Sequence, residues 1–244
     1  MANPILKNTF SSENASVVEG ATMTISGAVV KSIILISTII LSGMYTWGLL
    51  LKGFADKAMA LAIGGMLVAA VAGLVVVWFR PRISGLLSLV YSVGEGFVLG
   101  AISFMYESYY HGIVVRAVLC TFTAMAMMLL LYKAGLIRCT EKFRSVLFTA
   151  GLSVLVIYLI QFVASFFGRS IPQIFTASPI GIAFSAGVCI IAALYFILDF
   201  DFIEKGEQYM LPKSYEWVGA VSLMFSLVWL YLEILRLFAK INRR

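Results

Sequence analysis

Acidic side chains are scarce in this sequence, and several of them fall inside apolar runs long enough to cross a bilayer. Asp199 and Asp201 close the run "LYFILDFDFI", Glu95 sits within "YSVGEGFVLG", and Glu233 lies in "WLYLEILRLF". A charged carboxylate at mid-membrane depth costs about 2.5–3.5 kcal/mol on insertion scales, so such a group is neutral, paired or turned toward a polar path. That is the chemistry of proton and cation sites. Serines share faces with these acids: Ser84, Ser88, Ser92, Glu95 and Ser103 recur near helical spacing in one segment, and Ser222, Ser226 and Glu233 in another.

The two aspartates cannot play one role. Two residues apart on a helix, they point roughly 200° away from each other. Asp199 continues a stripe of Ser185, Cys189, Ala192 and Phe196, which suits the interior, whereas Asp201 lies closer to Glu204, Lys205 and water and reads as a solvated helix-end acid. Glu95 reads either as a neutral carboxyl held by a serine for packing or as an ion or proton site, with Gly94 and Gly96 leaving room beside it. Glu233 has Arg236 three residues on, the spacing of a local ion pair.

The elements that must position these groups follow from composition. Of 244 residues, 61% are hydrophobic and 12% charged, with a mean hydropathy of +1.00; a soluble domain carries about 25% charged residues. The chain therefore reads as an all-α polytopic membrane protein. Runs of about 20 apolar residues suffice to span the hydrocarbon, and seven are placed near 32–51, 58–79, 83–106, 112–132, 145–168, 178–200 and 216–238. Pro81, Pro172, Pro179 and Pro212 fall near their edges, and Trp47, Trp78 and Trp217 near their ends. This gives a polar N-terminal segment 1–31, a seven-transmembrane-helix bundle 32–238 and a basic C-terminal tail 239–244. Gly65, Ala69 and Gly73 form a small-residue seam that lets another backbone approach, within the chain or in a dimer.

Charge sets the expected orientation. With the N-terminus inside, the cytoplasmic loops hold Arg80, Arg82, Lys133, Arg138, Lys142, Arg144, Lys205 and Lys213; the opposite loops hold Lys52, Lys57, Arg116 and Arg169. The C-terminus is then outside, although its tail is basic. The net charge of +6 reads as headgroup contact and topology signal, with no aromatic-rich basic patch of nucleic-acid type. Cys120, Cys139 and Cys189 have no paired spacing and read as small packing residues, and the one histidine, His111, offers no zinc site.

The motifs "VWFRPRISG", "EGFVLGAIS", "LYFILDFDFI" and the closing "SLMFSLVWLYLEILRLF" resemble the Bax inhibitor-one family, the transmembrane Bax-inhibitor-motif proteins, in its bacterial branch. The resemblance covers nearly the whole chain, and Asp199 with Ile203 matches its most specific motif. It implies a bundle with a central sixth helix, set in the bacterial inner membrane, that acts as a pH-sensitive calcium leak closed by a hydrogen bond between acids on helices six and seven. Relatives restrain cell death, lower calcium stores or modulate a membrane protease. The chain departs from the pattern in helix seven, where the ungapped register puts Ser226 at the acid's position and matching "LYLE" puts Glu233 there. Glu233 lies about 27 Å along that helix at 1.5 Å per residue, so Ser226 is nearer the depth of Asp199. The resemblance does not supply Glu95, which is expected to replace the missing partner and share a proton with Asp199, since two adjacent charges in low dielectric are disfavoured.

The expected function is a cation leak gated by protonation of the buried carboxyls Asp199 and Glu95, with Ser226 opposite Asp199 and with Asp201 and Glu233 on the same path. Calcium is held only transiently at Asp199 and Glu95, because two carboxyls without carbonyls and water make a weak site. The expected partners are lipid, calcium ions and protons, with a membrane protease in a second reading and proton-coupled transport in a third; a monomer is favoured. No cofactor is expected. No G-x-S-x-G, HExxH or histidine cluster points to an enzyme, and the last helix lacks a central lysine for a retinal Schiff base.

Overall fold

Thr24, Thr140 and Ser178 each start a helix: their hydroxyls accept from the backbone N–H three residues on, at 3.0, 3.2 and 3.0 Å. Pro179 then takes the first helical position after Ser178, where its missing N–H costs nothing. Gly112, at φ +77°, makes a left-handed turn that a side chain would strain, and the Glu107 carboxylate accepts from the N–H groups of Gly112 and Val114 at 2.5 and 3.1 Å.

The computed structural model describes residues 22–78, 84–167, 174 and 176–243. They form seven helices long and apolar enough to cross a membrane: α1 (Ile25–Leu51), α2 (Ala55–Trp78), α3 (Ser84–Tyr109), α4 (Ile113–Lys133), α5 (Glu141–Phe166), α6 (Pro179–Gln208) and α7 (Tyr215–Asn242). The shortest, α4, has 21 residues, a length of about 31 Å at 1.5 Å per residue. Rows of exposed apolar side chains, such as Val30, Ile33 and Leu41 on α1 or Val146, Phe148 and Leu155 on α5, are what a lipid-facing surface requires. The protein is an all-α, seven-helix, multi-pass membrane bundle.

Several boundaries differ from those expected, among them the end of α6, which runs to Gln208 rather than 200. α1 begins at Ile25 rather than at residue 32, because Thr24 caps it and Lys31, which interrupts the apolar run, is paired with Glu216 inside the bundle. α7 continues to Asn242, so most of the basic tail is helix, and Lys240 within it is buried. Residues 1–21, Arg80, Pro81, Arg82, Arg169, Pro172 and Arg244 lie outside the described residues, as do the side chains of Trp78 and Ser84.

The centre belongs to α7 rather than to α6. α7 buries 67% of its most apolar stretch, against 39% for α3 and α6, and it packs on α1, α3, α4 and α6. α6 lies on its flank and keeps Ile180 and Ile190 on the outside. α5 is the most peripheral: among the described residues it packs chiefly on α6.

α3 is clamped between α1 and α2 by glycine contacts. A Cβ on Gly65 would meet the Gly94 carbonyl oxygen at 2.7 Å, and one on Gly100 would meet the Gly43 Cα at 2.9 Å. The Gly65, Ala69, Gly73 seam thus faces α3, with the Tyr91 ring lying on Gly73. Such approaches exchange side-chain bulk for backbone contact, which carries helix association where lipid removes the hydrophobic drive. Gly64, the neighbour of Gly65, has nothing within 4 Å of where its Cβ would be. Gly65→Val is expected to destabilise the protein in micelles by about 1–3 kcal/mol through overpacking, and Gly64→Val to leave it nearly unchanged. Thermal unfolding of the two variants side by side checks this; equal effects would refute the clamp.

Candidate functional site

The α6 stripe Ser185, Cys189, Ala192, Phe196, Asp199 and Ile203 steps by three or four residues and faces α7. Ile203 lies against Gly219, at 2.9 Å from where a Cβ would stand, and Phe196 is fully enclosed. Four residues above Ile203 along this stripe, Asp199 is 4% exposed. The Ser222 hydroxyl donates to its Oδ1, and Ser226, one turn further along α7, stands beside the same carboxyl. Among the described residues its second oxygen, Oδ2, is buried without a hydrogen-bond partner. The closest donor is thus Ser222, with the expected Ser226 next to it.

Asp201 is not the solvated acid expected from its position. It is 6% exposed, with Oδ2 2.8 Å from both Arg144 Nη2 of α5 and Lys205 Nζ. The half-turn that separates it from Asp199 aims it at α5 instead of water. The Arg144 guanidinium also reaches Cys139 Sγ at 3.8 Å; burial, with Asp201 beside it, pushes the Cys139 thiol up and keeps it a thiol.

The same end of the bundle holds three more acids, one engaged by α4 and two by the start of α1. Glu204 accepts from the Tyr132 hydroxyl of α4. Glu207 accepts from the backbone N–H of Ile25 at 3.0 Å. Glu216, 1% exposed, pairs with Lys31 of α1 and accepts from the N–H and hydroxyl of Thr24 at 3.0 and 3.1 Å. Met23 N–H donates to the Leu211 carbonyl at 2.7 Å, so the residues just before α1 lie along the α6–α7 turn. These partners were missed in the sequence; the available signal was a lone Lys, Arg or Tyr close to the end of an otherwise apolar span.

Glu233 belongs to a second polar layer. Arg236 Nη1 donates to its two oxygens at 2.8 and 3.0 Å, the pair that the spacing predicts. Tyr158 of α5 also reaches both oxygens, at 2.9 Å, and the guanidinium sits 4.7 Å over the Tyr158 ring. One turn on, Lys240 Nζ donates to Ile174 O, Gly181 O and Ser185 Oγ at 2.9, 3.0 and 2.7 Å. Glu233 lies 11 residues beyond Ser222, about 16 Å along the helix, and the buried Phe196, Ala192 and Leu230 fill the space around the seam between the two layers.

Glu95 is not brought to Asp199. α3 meets α7 through Gly85 against Trp217 and through Ser103 Oγ to Tyr231 OH at 2.7 Å. From Ser226 to Tyr231 is roughly 140° around α7, so α3 approaches a different face from the one that holds Asp199. Glu95 is half-buried, and the titratable neighbour it acts on is Tyr91, not Asp199. The direct, proton-sharing pair is therefore not formed. Among the described residues no group of three or more His, Cys, Asp or Glu could hold a metal ion.

No curated protein and no solved structure matches this chain. The family described as Bax inhibitor 1 like matches it over residues 3–243, which takes in every helix described above and the Asp199 motif on α6. A match of that extent settles the family: this multi-pass membrane protein belongs to the Bax inhibitor 1 like family.

Proposed function

We propose that the protein is a pH-sensitive cation leak, with calcium among the ions it passes, and that the α6–α7 seam at Asp199 is its gate. The observation that carries this reading is the buried carboxyl with one oxygen held by Ser222 and the other, with Ser226 beside the group, without a hydrogen-bond partner among the described residues. A neutral acid fits such a seam. Loss of its proton places a charge in low dielectric with too few donors, and the charge is relieved only by admitting water or a cation. The Phe196 layer is the barrier that must part. Calcium needs six or more oxygens, so a single carboxyl gives it passage and not storage.

The protein acts in the inner membrane, as a monomer, with no cofactor and no catalytic step. The Asp199 end faces the cytoplasm: Lys133, Arg138, Lys142 and Lys213 flank it, and cytoplasmic flanks carry the excess of basic residues. The N-terminus is then inside and the C-terminus outside.

Asp199→Asn keeps the volume and removes the titratable group. Calcium flux into liposomes holding the wild type is expected to vary with pH, and the variant's flux to be flat across the same range. An unaltered profile would exclude Asp199 as the sensor, and absence of flux at every pH would leave the protein as an interaction partner of another membrane protein, such as a protease.

Glu233→Gln provides the contrast. It weakens the Tyr158–Arg236 cluster and is expected to lower stability by about 1–3 kcal/mol, the range for a disturbed buried hydrogen bond, while the pH profile of flux keeps its shape. A flattened profile in this variant would move the sensor to the second polar layer.

A further inference from the structure

Glu95 lies near the middle of α3, and neither polar layer of the α6–α7 seam uses it. The backbone around it is fixed from two sides. A Cβ on Gly94 would stand 3.2 Å from the Ala69 Cβ of α2, and one on Gly96 would stand 3.0 Å from the Ile39 Cα of α1. The helix cannot turn to carry the carboxyl elsewhere without separating both contacts.

Two further oxygens share the turn. Ser92, three residues before Glu95, is 0% exposed, and its hydroxyl has no hydrogen-bond partner among the described residues. Tyr91, four residues before, is 5% exposed and is close enough for the carboxyl to act on its hydroxyl. Residues three and four apart lie on one helix face. No cationic side chain pairs with Glu95 among the described residues. The facing positions on α2, Gly65, Ala69 and Gly73, and on α1, Ile39, Ser42 and Gly43, carry no titratable group. On α7, the Tyr231 hydroxyl that meets α3 is engaged by Ser103.

The chemistry of this set restricts its ligand. All the donors are oxygens, which select hard cations over soft ones. One carboxylate balances one positive charge; a divalent ion would leave an uncompensated charge at mid-membrane depth, where charge is expensive. We infer that Glu95, Tyr91 and Ser92 form an intramembrane site for a small monovalent cation, sodium, which competes with the proton for the carboxyl and is separate from the Asp199 gate. The inference does not depend on the leak, because it concerns occupancy of the site and not conduction.

Dicyclohexylcarbodiimide tests it. This membrane-soluble reagent adds across the O–H of a protonated carboxyl, and after the acyl shift the protein retains the whole reagent, a mass gain that locates the labelled residue. The full-length protein in liposomes is labelled at fixed pH in sodium chloride, choline chloride or calcium chloride of equal ionic strength. Label on Glu95 is expected in choline, to fall several-fold in sodium, and to fall less in calcium. Asp199→Asn keeps that sodium protection, Ser92→Ala requires more sodium for the same protection, and Glu95→Gln loses the label. The site is overturned if Glu95 takes no label in choline, if sodium protects no better than choline, or if calcium protects better than sodium. Loss of sodium protection in Asp199→Asn would overturn its separateness.

Discussion

The Ser222 hydroxyl reaches one oxygen of Asp199, and the other has no hydrogen-bond partner among the described residues, although Ser226 stands beside the group. Everything around that contact keeps water away: Phe196 one turn back on α6, Ile203 against Gly219 one turn on, and α7 itself at the centre of the bundle. A half-satisfied carboxyl is tolerable in this place only as long as the seam stays closed and dry. The same incompleteness that costs stability makes the seam sensitive to a proton. A fully hydrogen-bonded carboxylate would be a strut, as Glu216 is between Lys31 and Thr24.

The other acids of α6 and α7 serve that kind of role. Asp201, Glu204, Glu207 and Glu216 reach α5, α4 and the start of α1, so the end of the bundle nearest Asp199 is tied in several directions. This matters most for α5. It buries only Leu147 and Val154, too little apolar contact to fix its position in lipid, where side-chain packing has no hydrophobic advantage. Arg144 to Asp201 at one end, Tyr158 to Glu233 at the other, and the Tyr195 hydroxyl to the Leu147 carbonyl at 3.2 Å between them supply what packing does not.

The spans were legible in the sequence because the bilayer demands long apolar runs and little else. Their ends were less so: Lys31 looked like a boundary, since a lone sequence does not show that a residue 185 positions away will accept its charge. Asp199 could be placed against α7 from its stripe and from depth counting, and Ser222 sits on the same face as the Ser226 that the counting favoured. Asp201 was misread because helical geometry says only that it points away from Asp199, not what lies there. Glu95 was misjoined to Asp199 because an acid missing from helix seven and one gained in helix three do not fix which face of α7 each neighbour takes. Tyr158 carried no signal at all, since an aromatic residue in an apolar helix is indistinguishable from lipid-facing bulk until its hydroxyl finds a partner.

The pairing of Thr24 and Lys31 with Glu216 has a consequence for how the molecule is made. The first helix enters the bilayer long before the last one is synthesised, so the acid that completes its amino-terminal end is absent throughout most of translation. Ser103 likewise waits for Tyr231, and Asp199 for Ser222. α7 is therefore the keystone of assembly: until it inserts, the clamped α1–α3 unit and the helices after it carry bare polar groups in or beside the hydrocarbon. A chain released before its last 30 or so residues would display those groups to lipid, and in that form a cell's surveillance of membrane proteins could tell it from a finished one.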